Sequence, residues 1–174
     1  MVIRKRLPIK GKALVYITTT ATDWIPVFGD AVVASIVMSK LAEAVEQFQV
    51  AVVGYVLMPS HLHLMLGFAH VELLSKFMQS FKILSSKTVR ELVFPSILDR
   101  LWNNGRFSLW KPRFDDLITV SEEQFRIKLN YIHNNPVKAG LVSDPCDWFY
   151  SSASDWLKDE PGPVKVDKHF KWTE

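Results

Sequence analysis

The stretch VAVVGYVLMPSHLHLMLGF, Val50 to Phe68, decides the fold. Val50 to Met58 is a continuous apolar run of strand length, Pro59-Ser60 supplies a turn, and His61 to Phe68 alternates with a period of two. Two strands separated by two turn residues read as a β-hairpin. Alternation in the second strand sorts its side chains: Leu62, Leu64 and Leu66 go to one face, His61 and His63 to the other. A sheet with an apolar face must bury it under further packed elements.

The flanking sequence supplies them. Ala13 to Thr20 (ALVYITTT) reads as a first strand. Asp30 to Phe48 carries Val33, Ile36, Val37, Leu41, Val45 and Phe48 at helical spacing, with Gly29 and Asp30 at its start. Glu72 to Leu92 repeats the pattern: Leu73, Leu74, Phe77, Phe81 and Leu84 form a buried stripe, and Lys76, Lys82, Lys87 and Arg90 lie on the other side. A Pro- and Gly-punctuated stretch, Phe94 to Gly105, leads to a last strand expected between Phe107 and Val120. Ser121, followed by Glu122 and Glu123, then caps a third helix through Phe125, Ile127, Leu129, Tyr131 and Ile132, whose end is marked by Pro136 and Gly140. The order β-α-β-β-α-β-α predicts an α+β, ferredoxin-like sandwich with a mainly antiparallel sheet.

Composition sets the bounds. A chain of 174 residues with 48% apolar content reads as one domain, with a basic arm over 1–12 and a C-terminal extension over about 143–174. The most apolar region, 31–58, is interrupted by Lys40, Glu43 and Glu46, so no membrane span is expected, and no cleavable signal is evident. Cys146 is the single cysteine, which excludes an internal disulfide and suits a reducing cytoplasm. Net charge is +3, compatible with a nucleic-acid partner without requiring one. Arg4, Lys5, Arg6, Lys10 and Lys12 stand in the first twelve residues without an acid, an arm that reads equally as phosphate-binding or as a solvated terminus.

Two histidines on one strand face can ligate a metal, although the pair alone is a weak signal and reads more readily as packed and hydrogen-bonded residues. Tyr131 and Asn135, four apart, share a helix face if the helix survives that far, and Pro136 argues that it is ending there. A phenol is a poor nucleophile at neutral pH. It becomes useful where a metal withdraws charge from the phosphate under attack. An Asn oxygen adds a neutral, hard ligand that suits Mg²⁺ or Mn²⁺. By itself, Tyr131 also reads as a core tyrosine.

The segment YVLMPSHLHLML, Tyr55 to Leu66, resembles the strand–turn–strand of the single-tyrosine HUH transposases. YIHNNPVKAGLV, Tyr131 to Val142, is similar to the tyrosine-helix signature of their REP-associated branch, and Asp147-Trp148-Phe149-Tyr150-Ser151-Ser152 resembles that branch's following Trp-aromatic-Ser-Ser element. Trp110, Phe114 and Asp115 echo the last strand, although Arg113 to Thr119 is more acidic than the family's pattern. The resemblance covers roughly residues 8 to 156. It implies a metal-dependent transposase that cleaves and rejoins single-stranded or hairpin DNA, acting as a monomer or a homodimer. His61, His63 and Asn135 would hold Mg²⁺ or Mn²⁺, and Tyr131 would become joined to the 5′ phosphate, freeing a 3′ hydroxyl.

DNA contacts are expected from Arg4, Lys5, Arg6, Lys82, Lys87 and Lys138, with Gln79 beside them. One or two of Trp102, Phe107, Trp110, Trp148, Phe149, Tyr150 and Trp156 are expected to stack on bases. His133, two residues from Tyr131, reads as structural or DNA-facing rather than as a base. Two other readings are a domesticated DNA-binding protein that no longer cuts and a small metal-binding protein without a nucleic-acid partner. The second explains neither the basic arm nor the tyrosine segment.

Overall fold

The computed structural model of the chain describes residues 9–93 and 95–172. Strand β1 (Ala13–Thr20), helix α1 (Ala31–Phe48), β2 (Ala51–Met58), β3 (His61–Phe68), α2 (Leu74–Leu92), β4 (Asp115–Thr119) and α3 (Glu122–Lys138) follow in that order, with a short α4 (Ala153–Lys158) beyond. The sheet runs β2-β3-β1-β4, and each neighbouring pair is antiparallel. This is the α+β, ferredoxin-like sandwich read from the sequence. Among the described residues no helix is long and apolar enough to cross a membrane.

Helices α1 and α3 begin at side-chain caps. The Asp30 carboxylate accepts the N–H groups of Val32 and Val33, and the Ser121 hydroxyl accepts that of Gln124. Helices α1 and α2 cover one face of the sheet, where Ile17, Leu62, Leu64 and Leu66 join Val37, Leu41, Phe77 and Phe81 in the main core. Helix α3 covers the other face above Leu14, Val53, Val56 and Met65, with Ile132 as its buried anchor.

Two boundaries that bear on the site differ from the sequence reading. Only Asp115–Thr119 of the Phe107–Val120 segment pairs with β1. Upstream of it the chain leaves the β1 ladder, and Phe107 pairs with Trp102 instead. Trp110 is buried under α2 with its indole N–H on Ser85, Ala21 bridges to Trp110, and Lys111 donates its backbone N–H to Thr20. Nor does Pro136 end α3, which runs on to Lys138. In the last turn the proline forgoes a single backbone bond; Ala139 N–H closes on Asn135 O, and Gly140, left-handed at φ 70°, lets Leu141 N–H reach back to Pro136 O. Asn135 therefore stays in register with Tyr131.

The C-terminal segment covers the outer edge of β2. Leu57 N–H donates to Tyr150 O, and the β2 carbonyls of Val52, Val53, Tyr55 and Leu57 accept from Asp167 N, Trp156 Nε1, Ser152 N and Trp148 Nε1. Ser152 Oγ accepts the Tyr55 N–H and also meets His133 Nε2 at 2.9 Å, so α3, the tail and the sheet edge share one buried hydroxyl. Each such bond contributes about 1 kcal/mol net.

Gly54 sets how close α3 comes to the sheet. A Cβ there would lie 2.7 Å from Leu129 Cδ1. Gly54→Ala is expected to destabilise the fold by about 1–3 kcal/mol in chemical denaturation, the usual cost of overpacking. Placed on a Leu129→Ala background, which removes the obstructing methyl, the same substitution should cost almost nothing. An equal cost on both backgrounds would refute the close-approach explanation.

Candidate functional site

The site forms on the α3 face of the sheet. Antiparallel pairing sets Thr20 opposite His61 and Thr18 opposite His63, so Tyr16 and Thr18 stand beside the histidines on the adjoining strand. The His61 and His63 rings are 4.8 Å apart, centre to centre. From α3, the Tyr131 ring comes edge-on to His63 at 5.3 Å and to Tyr16 at 6.4 Å. Asn135, one turn along the helix, hydrogen-bonds the His61 ring. Two imidazoles, a phenol and an amide, from segments far apart in the chain, meet at one site.

Hydroxyl groups orient both rings. His63 Nδ1 is 2.9 Å from Tyr16 Oη and 2.9 Å from Thr18 Oγ1, and His61 Nδ1 is 3.2 Å from Ser60 Oγ. A His63 tautomer that donates Nδ1–H to one of these oxygens leaves its Nε2 lone pair for a ligand. Burial pushes the His63 imidazole down to about 3, aided by His61 and Lys128; burial also lowers His61, against the Asn135 hydrogen bond. Both rings are thus neutral at neutral pH, the form that ligates a metal. The fit to a metal rests on one atom: His63 Nε2 is buried with no hydrogen-bond partner among the described residues. Among those residues no group of three or more His, Cys, Asp or Glu is placed to hold an ion, so a metal here would take two imidazoles and the neutral Asn135 oxygen.

Tyr131 is 41% exposed, open to an incoming substrate. Positive charge surrounds it: Lys128 Nζ lies 4.6 Å from the Tyr16 ring centre and 6.0 Å from that of Tyr131, and Lys138 Nζ lies 5.4 Å from Tyr131. Sequence reading missed Tyr16, Thr18 and Lys128. The two-residue alternation of Tyr16 and Thr18, and the i,i+3 spacing of Lys128 and Tyr131, were the available signals.

The remaining expected contacts divide. Lys82 donates to the carbonyls of Lys111 and Arg113, tying α2 to the loop before β4, and burial pushes its ammonium down to about 8. Lys87 is exposed in a groove of about 790 Å³ lined also by Lys82, Arg90, Arg106 and Lys111 and, among the described residues, by no acidic side chain. Arg4, Lys5 and Arg6 lie outside the described residues. His133 is buried against Ser152, the structural alternative. Trp110, Trp148 and Trp156 place their N–H groups on internal acceptors, whereas Trp102 and Phe149 stay exposed.

An antiparallel α+β sandwich carrying a histidine pair beneath a helix-borne tyrosine invites comparison with enzymes that act on DNA. The family model for IS200-like transposases matches residues 17–135, and the chain belongs to that family. The matched span includes His61, His63, Tyr131 and Asn135. Among solved structures, a REP-associated tyrosine transposase bound to a REP hairpin is similar over 100% of this chain and 98% of its own, with a TM-score of 0.73 and 19% identity. A putative transposase from Deinococcus radiodurans R1 covers 76% of this chain and 97% of its own, with a TM-score of 0.53 and 25% identity. No curated protein matches the chain.

Proposed function

We propose that the chain cuts and rejoins single-stranded DNA, with Tyr131 as the nucleophile and His61, His63 and Asn135 holding Mg²⁺ or Mn²⁺. The observation that carries this reading is a buried His63 Nε2 with no partner among the described residues, on a ring whose centre lies 5.3 Å from that of the exposed Tyr131. When bound, the metal would withdraw charge from the phosphate. Tyr131 Oη forms a bond to phosphorus and gives its proton to solvent; the bond from phosphorus to the 3′ oxygen breaks, and that oxygen takes a proton from water. The phosphodiester energy is kept in the tyrosine–phosphate link, so the reverse attack by another 3′ hydroxyl rejoins strands without ATP. Lys128 and Lys138 supply charge where the phosphate oxygens arrive.

A hairpin substrate of the REP kind is supported by the likeness to the hairpin-bound transposase, which extends through the C-terminal extension. The test is incubation of a labelled single-stranded hairpin with Mn²⁺, followed by a denaturing gel. A covalent protein–DNA adduct is expected. Strand binding without an adduct would make the chain a non-cutting DNA-binding protein of the same fold.

Binding should depend strongly on salt. If Lys87, Arg90, Arg106 and Lys111 each meet a phosphate, affinity for a single strand falls roughly fifty-fold between 50 and 200 mM salt. A titration that stays flat over this range would remove the groove from the binding surface.

A further inference from the structure

We infer that Trp24 is a stacking platform for a DNA base beside the His61, His63 and Tyr131 cluster, with Lys111 meeting the backbone of the same strand. The inference rests on the single-strand reading above. Trp24 lies between β1 and α1 and is 55% exposed, although tryptophan in folded chains is mostly buried. Asp23 and Trp24 both hold left-handed backbone, at φ 51° and 57°, which aspartate tolerates but a bulky residue such as tryptophan adopts at a cost. The surroundings enforce it. Ala21 N–H donates to Ser60 O, Thr22 N–H to Leu109 O, Thr22 Oγ1 to Ser108 O, and Phe28 N–H to Pro59 O. Strained backbone fixed on both sides, yet leaving a large ring half in water, is better explained by a ligand than by packing.

The ring's neighbours indicate the ligand. Trp24 meets His61 edge-on at 5.6 Å, and Lys111 Nζ lies 5.2 Å from the indole centre. Lys111 also lines the basic groove beside α2. A backbone tracking that groove thus reaches the histidines by way of the indole. A cationic track combined with an aromatic face is how single strands are held without sequence readout.

The test is fluorescence-anisotropy titration in EDTA, where no cleavage intervenes, with labelled dT12 and with an abasic strand of equal length and charge. Trp24→Ala and Trp24→Leu should bind dT12 about tenfold more weakly than the wild type, and Trp24→Phe should keep most of the affinity. All of them should bind the abasic strand like the wild type. Lys111→Ala should weaken both strands alike. Melting curves report whether each variant is folded, and the Leu and Phe variants keep the comparison valid if Ala is not. Unchanged dT12 binding in Trp24→Leu, or equal weakening of both strands, would overturn the inference. Adduct formation separates the two readings: a wild type that cuts but is indifferent to Trp24 keeps the nuclease and loses the platform, and one that discriminates through Trp24 without an adduct does the reverse.

Discussion

Tyr131→Phe is expected to abolish the protein–DNA adduct, with a rate loss on the order of 10⁴ or more, as when a nucleophile is removed from other enzymes. The substitution keeps the ring, and with it the edge contacts to His63 and Tyr16. Because Tyr131 is exposed, stability should change by less than about 0.5 kcal/mol and strand affinity should hold. Quantifying adduct on a denaturing gel, with melting and binding in parallel, checks all three. If the adduct persists, the structure orders the other tyrosines. Tyr16 adjoins the site, but its hydroxyl is engaged with His63 and burial pushes it up to about 12. Tyr55 is buried in the opposite core and accepts the Val164 N–H, and Tyr150 reaches Ala31 O, so both are poor substitutes. Nicking without an adduct would instead establish water as the nucleophile.

The second large effect concerns the ion. The wild type should melt higher with Mn²⁺, gaining about 2.7 kcal/mol at a hundred times the dissociation constant. His63→Ala should erase that gain along with adduct formation, because one imidazole and an amide form a weak set for a hard ion. Tyr16→Phe should act in between. It removes one of two hydroxyls on His63 Nδ1 while Thr18 Oγ1 remains, and loss of such an orienting partner costs 10- to 100-fold in affinity, as a rough guide. A Mn²⁺-dependent rise that survives in His63→Ala would place the ion elsewhere.

What the sequence disclosed follows from the range of the interactions involved. The alternation from His61 to Phe68 separates Leu62, Leu64 and Leu66 from the histidines because the strand period is local, and the structure buries those leucines under α1 and α2. Tyr131 and Asn135 are likewise joined by helix geometry alone. Long-range pairing is less legible. Nothing local tells that the Trp148 and Trp156 indoles serve carbonyls of β2 instead of DNA bases, since the partners, Leu57 and Val53, are about a hundred residues away. Trp24 escaped notice for another reason. It sits in a stretch without periodicity, and its outward aim depends on two left-handed residues that no glycine announces.

The tail on β2 also limits how copies of this chain can associate. An open sheet has two borders at which a foreign strand can add, and growth at both is what lets sheets polymerise. Here one border is occupied by the chain itself, through Tyr150, Ser152 and Asp167. The described residues leave β4 paired on one side only, with β1. Strand-to-strand addition between copies at β4 therefore stops at two and cannot propagate into a filament. The extension acts as a built-in chain terminator, at a cost of a few dozen residues.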